Sequence, residues 1–154
     1  VSVDDRLREL GIELPAPPAP VASYVPVAVA GGLAFVAGQG AVIDGEILHP
    51  GHVGDDVTVE QAQEAARRCA LQALAALKAE LGSLDRIRRI ANVTVYVTSA
   101  PGFTQQPLVA NGASDLLVEV FGDAGKHARA AVGVPELPLG LSVEVAVIAE
   151  VEGG

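Results

Sequence analysis

HARAAVGVPELPLGLSVEV (residues 127–145) reads as two strands joined across the turn PELPLG, and it sets one arginine, Arg129, among small and apolar neighbours. A guanidinium is always charged and carries five donors in a rigid fork. In a strand that otherwise reads as buried it needs an anion. Two sources are open: Glu144, fifteen residues on in the next strand, or a ligand. Strand register decides between them, because a one-residue slip turns a side chain to the opposite face, and periodicity does not fix it.

Upstream, VPVAVA and LAFVAGQG flank Gly31-Gly32, a tight-hairpin signal, and Asp44-Gly45 in AVIDGEIL is a second one. TVEQAQEAARRCALQALAALKAELG (58–82) is the clearest helix. Thr58 and Gln61 have capping-box spacing, Gly82 is a stop, and Ala62, Ala66, Cys69, Ala70, Ala73, Leu77 and Leu81 form one apolar stripe. RIANVTVYVTS follows as a strand, with Ile90, Asn92, Thr94, Tyr96 and Thr98 on one face and Ala91, Val93, Val95 and Val97 on the other. A second helix spans PLVANGASDLLVEVFG, from Pro107 in its first turn to Gly122 at its end. In the final strand Val143, Val145, Val147 and Val151 share a face, opposite Ser142, Glu144, Glu150 and Glu152. Ahead of all this, DDRLRELGIELP forms a short helix stopping at Gly11, and PAPPAPVASY is an extended arm. The expectation is one domain over 1–154, with helix and arm over 1–21 and a core over 22–151. Its class is α+β, a sheet with two helices on one face and an apolar second face that neighbouring subunits bury.

Composition limits the functions. Half of the 154 residues are apolar but only 3% are aromatic, and Met and Trp are absent, so Ala, Val, Leu and Ile must build the core. A net charge of −9 disfavours nucleic acid and anionic membranes as partners. RIRRI (86–90), the one dense basic stretch, splits its charges over both faces at strand spacing. Cys69 is the only cysteine and reads as a buried small hydrophobe. His49 and His52 read as loop histidines rather than metal ligands. GGLAFVAGQG lacks the Lys-Ser/Thr ending of a phosphate loop. No run is apolar for the roughly 18 residues of a membrane helix, and no basic and apolar leader opens the chain, so a cytoplasmic location is expected.

The order of elements resembles the RidA/YjgF family, as do FVAGQ (35–39), AARRCALQALAALKAELGSLDRI (65–87), VTVYVT (93–98), ARAAVGVPELP (128–138) and VEVAVIA (143–149). The resemblance spans about residues 22–151 and implies a chorismate-mutase-like fold, a homotrimer and ligand pockets between subunits. It implies hydrolysis of small reactive 2-imino acids to 2-keto acids and ammonia, with no cofactor or metal. Arg129 matches the family arginine that grips the substrate carboxylate, a planar fork against a planar anion. Glu144 matches the glutamate that orients or deprotonates water. The backbones of Gly38 and Ala131, with Tyr24 and Asn111, match pocket positions. Tyr24 and Asn111 also read as arm-packing and helix-surface residues, and Glu144 as a solvated strand residue like Glu150 and Glu152. Ala37 stands where many members have serine, and Ala146 where a second acidic residue is common. These departures suggest a subgroup distinct from the founding deaminases. The rival is a trimer of the same fold that binds a small molecule or another protein without turnover. Ribonuclease activity, an old family label, is opposed by the charge and by the lack of an acid–base histidine pair.

Overall fold

The computed structural model describes residues 1–19 and 23–153. The boundary expected between arm and core, at residues 21 and 22, lies outside the described residues. Ten elements follow one another: α1 (Val3–Glu9), β1 (Val27–Ala30), β2 (Leu33–Gly40), β3 (Val42–Ile43), β4 (Glu46–Ile47), α2 (Val59–Leu81), β5 (Ile87–Thr98), α3 (Gln106–Phe121), β6 (Ala128–Val134) and β7 (Val143–Val151). The chain is α+β, with three helices and a five-stranded mixed sheet in the order β1-β2-β7-β5-β6. β3 and β4 form a separate small ribbon.

Local chemistry accounts for most of these elements. Gly31 and Gly32 both adopt positive φ, 59° and 78°, as the two-residue turn between β1 and β2 requires. Thr58 accepts from the Gln61 amide while the Gln61 side chain accepts from the Thr58 amide, closing the capping box of α2. All seven residues of the apolar stripe read from this helix are buried. Pro107 sits in the first turn of α3, and Gly122 caps its end. α2 and α3 approach closely because Gly112 has no side chain: a Cβ there would lie 2.8 Å from the Gln63 carbonyl carbon. The core is the layer between these helices and Val93, Val95, Val97, Val143, Val145 and Val147 of the sheet, all buried.

The N-terminal helix is part of this body. Ser2 and Asp5 form its capping box, Leu7 is buried, Arg6 Nε donates to the Glu119 carbonyl, and Lys78 pairs with Asp4. It is the short helix read from the sequence in DDRLRELGIELP, ending at Glu9 just ahead of Gly11.

Three sequence expectations need correction. The first is that the strands of residues 128–134 and 143–151 are not neighbours. β7 pairs with β2 and β5, while β6 pairs only with β5, in parallel, as a sheet edge. The return from β5 to β6 runs through α3, and a parallel neighbour requires such a crossover. The second is that β6 is not buried. Residues 128–130, 132 and 133 are exposed, because its small side chains line an open edge. The third concerns Ile90. A bulge between Ile90 and Asn92 shifts the alternation of β5, so Ile90 joins Val93 in the core while Asn92, Thr94 and Tyr96 keep the other face.

Among the described residues, no layer covers the face of the sheet away from the helices. Phe35 and Val132 lie on it with 41% and 42% of their surface exposed. The half-buried Tyr96 and Ile148 share it. No helix of the described residues is long and apolar enough to cross a membrane.

Candidate functional site

The six residues singled out from the sequence fall into two groups on opposite faces of the sheet. The first group lies in a cleft of about 440 Å³ bounded by Tyr24, Ala37, Gly38, Leu139, Leu141 and Glu144. Glu144 stands on the uncovered face, paired in register with Tyr96 of β5 and Gly40 of β2. It is half-buried, and it has no ion-pair or hydrogen-bond partner among the described residues. The bulge that carries Ala37 and Gly38 out of pairing turns β2 toward this carboxylate. Gly38 makes the approach possible: a Cβ there would lie 2.9 Å from Glu144 Cδ. Tyr24 is exposed at the cleft's rim.

The rest of the wall is apolar. The turn Pro138–Gly140 places Leu139 there with 84% of its surface exposed and with φ of 62°. A positive φ is uncommon for leucine.

The second group sits at the β6 edge on the helix side. Arg129 pairs in register with the buried Val93 and reaches α3, where its NH1 donates to Asn111 Oδ1 (2.8 Å) and Ser114 Oγ (3.1 Å). No carboxylate among the described residues pairs with it. Ala131, two residues on, lies on the same face of β6, and among the described residues the outer side of this strand has no partner in the sheet.

The register settles the first possibility raised for Arg129. β5 separates its strand from that of Glu144, and their partners on β5, Val93 and Tyr96, are three residues apart. At strand spacings this is about 10 Å across and about 10 Å along, or ~14 Å between the two Cα atoms. The side chains also point to opposite faces. Arg129 and Glu144 therefore form no ion pair within one chain.

A larger cavity of about 610 Å³ lies between the proline-rich arm and α2. Its polar side chains hold the start of the β3–β4 ribbon. Arg68 Nε donates to the Val42 carbonyl, and the Gln72 amide accepts from Val42 N and donates to the Gly40 carbonyl. His49 and His52 point at different carboxylates, Glu64 (3.1 Å) and Glu136 (3.0 Å). Among the described residues, no three His, Cys, Asp or Glu side chains are grouped to hold a metal. Burial pushes the Cys69 thiol far up, with the charge of Glu144 adding to the effect, so it is unreactive as a nucleophile.

Ser114 and His127 escaped the sequence reading. Ser114 Oγ lies 2.8 Å from His127 Nε2, and His127 Nδ1 lies 2.7 Å from the Gly125 carbonyl. The signal was present: Ser114 is three residues after Asn111 on a helix, and His127 stands two residues before Arg129, just ahead of β6.

The family model described as "YjgF/chorismate mutase-like, putative endoribonuclease" matches residues 4–151. Protein TCP17 of Trypanosoma cruzi is 47% identical over 145 residues, 94% of this chain and 91% of that protein. The crystal structure of Atu1372 from Agrobacterium tumefaciens aligns with a TM-score of 0.90 at 46% identity, covering 97% of this chain and 92% of that one. E. coli TdcF, whose structure contains bound serine, aligns with a TM-score of 0.59 at 26% identity, covering 88% and 93%.

Proposed function

Since the chain belongs to the YjgF/chorismate-mutase-like family, we propose that it hydrolyses small 2-imino acids to 2-keto acids and ammonia, at pockets shared between copies in a homotrimer. The observation that carries this reading is the division of the candidate site. Among the described residues, an arginine without a carboxylate partner and a glutamate without a partner stand on different faces, ~14 Å apart by strand geometry. A pocket containing both needs the β6 edge of one copy beside the cleft of another. The uncovered apolar face, with Phe35 and Val132, supplies the surface for such a contact. The binding of serine by TdcF supports an amino-acid-sized ligand bearing a carboxylate.

The chemistry asks little of the protein. Arg129 binds the substrate carboxylate through paired hydrogen bonds, each worth about 1.5–3 kcal/mol. Glu144 of the neighbouring copy takes a proton from water as the water oxygen adds to the electrophilic imine carbon. Glu144 passes that proton to the imine nitrogen, giving the neutral tetrahedral carbinolamine, then takes the hydroxyl proton and delivers it to the same nitrogen, which leaves as ammonia as the C–O bond becomes the ketone. Holding water and imine in line supplies much of the acceleration. Tyr24 and the backbones of Gly38 and Ala131 shape the pocket, and Asn111 orients Arg129.

One observation favours the non-catalytic alternative: Ala37 lies in the cleft wall and brings no hydroxyl to it. Turnover separates the two readings. Ammonia release from 2-iminopropanoate, generated in situ by an amino-acid oxidase, is expected to accelerate with the wild type and not with Arg129→Ala. Binding of 2-oxobutanoate with no acceleration across several imino acids would establish the binding protein instead.

A further inference from the structure

The hydrogen bonds around Arg129 have one consistent polarity, and it begins at a fixed point. Gly125 packs against α3 so closely that a Cβ would lie 2.7 Å from the Leu117 carbonyl carbon, which anchors the Gly125 carbonyl. A carbonyl only accepts, so His127 Nδ1 carries the proton of that 2.7 Å bond. Neutral His127 then presents Nε2 as an acceptor. Ser114 donates its hydroxyl proton to it over 2.8 Å. With that proton committed, the Ser114 oxygen faces Arg129 as an acceptor and receives NH1 at 3.1 Å. Asn111 Oδ1 receives the other NH1 hydrogen at 2.8 Å.

Both hydrogens of NH1 are thereby occupied by neutral acceptors, and neither acceptor cancels the charge. Among the described residues the guanidinium keeps three donors, one on Nε and two on NH2, and Nε–H with one NH2 hydrogen lies along a single edge. That edge has the spacing to meet both oxygens of one carboxylate.

We propose that Ser114 and His127 are positioning residues that clamp the NH1 end of Arg129 and so define its Nε–NH2 edge as the carboxylate-binding face. This rests on the proposed role of Arg129 in holding the substrate, and it adds two residues and a direction of approach to that role. The His127–Ser114 relay acts as one unit, since His127 touches Arg129 only through the serine hydroxyl.

The test measures binding of 2-oxobutanoate by calorimetry to the full-length wild type and to five variants. Ser114→Ala and His127→Phe each break the relay, and each weakens binding about tenfold, the scale of one hydrogen bond to a charged group. The double variant Ser114→Ala/His127→Phe is no weaker than the worse single. Ser114→Thr keeps the hydroxyl and His127→Gln keeps an acceptor near the Nε2 position, so both stay within about threefold of wild type. With 2-iminopropanoate as substrate, the two breaking variants raise KM while kcat holds within about threefold. Nitrogen-15 NMR of the wild type shows neutral His127 protonated on Nδ1.

Unchanged binding in the breaking variants, losses that multiply in the double variant, or an Nε2-protonated neutral His127 would each overturn the proposal. So would a wild type that does not bind 2-oxobutanoate. Binding with the expected variant pattern but no imine turnover upholds the clamp and refutes only the hydrolytic reading.

Discussion

Gly38→Ala places a methyl group where the Glu144 side chain now lies, and the consequence can be worked through. The new Cβ would stand 2.9 Å from Glu144 Cδ and 3.2 Å from Cγ. Carbon atoms pack at about 3.5–4.0 Å, so the carboxylate must retreat by roughly 1 Å. It is the free end of a flexible side chain with no hydrogen bond to break among the described residues, so the retreat costs about 0.5–1.5 kcal/mol of rotamer strain. Gly38 does not have a positive φ, and restricting the unfolded chain returns about 0.4–1 kcal/mol. The net change in stability is therefore within about 1 kcal/mol. Catalysis is far less tolerant, because a 1 Å misplacement of a catalytic group costs up to about 10²-fold. The expected variant melts within a few degrees of wild type by circular dichroism and binds 2-oxobutanoate with nearly unchanged affinity, but loses one to two orders of magnitude in kcat for 2-iminopropanoate. Glu144→Gln should show the same pattern, and the double variant should be no slower than the slower single. A folded Gly38→Ala enzyme with kcat within about twofold of wild type would refute the role given to Glu144.

Other outcomes follow from the same geometry. Gly112→Ala improves helix propensity by up to about 1 kcal/mol but drives a methyl group into the Gln63 backbone, so urea unfolding should show a net loss of about 1–2 kcal/mol. The His52 pKa is raised, first by its hydrogen bond to Glu136, which outweighs the opposing effect of desolvation, and then by the charges of Glu136 and Asp56. The pair therefore supports the fold below the ordinary histidine range, and that support fades as pH rises through the raised value; an NMR titration of His52 should shift downward in Glu136→Gln. Cys69 should resist thiol reagents in the native protein and react only at the rate of unfolding, a contrast read by labelling with and without urea.

Features governed by neighbours in the chain were legible in the sequence. The Gly31-Gly32 turn, the Thr58–Gln61 cap and the stripe of α2 each depend on residues within a turn or two, and each appears where the pattern places it. Features set by distant partners were not. Insertion of β7 between β2 and β5 puts a strand between Arg129 and Glu144, and no periodicity in either strand reports it. The bulge beside Ile90 inverts one face assignment because a single unpaired residue resets an alternation of period two. The run ARAAVGV resembles a buried strand because alanine and valine are compatible with a core, yet its small side chains line an exposed edge. The candidate site divides along the same line: the lone arginine of ARAAVGV stood out in the sequence and the family resemblance pointed to Glu144, while the opposite faces they occupy, and the Ser114–His127 relay behind the arginine, required the fold.

The most direct test of a site shared between copies is complementation. Arg129→Ala and Glu144→Gln are each purified, mixed in equal amounts, unfolded and refolded together, then assayed for ammonia release from 2-iminopropanoate. If each pocket takes its arginine from one copy and its glutamate from the next, random reassembly leaves about one pocket in four with both groups intact, and roughly a quarter of wild-type activity returns from two inactive proteins. If both groups acted within one chain, no mixture would contain an intact pocket, and activity no higher than that of the separate variants would contradict the account.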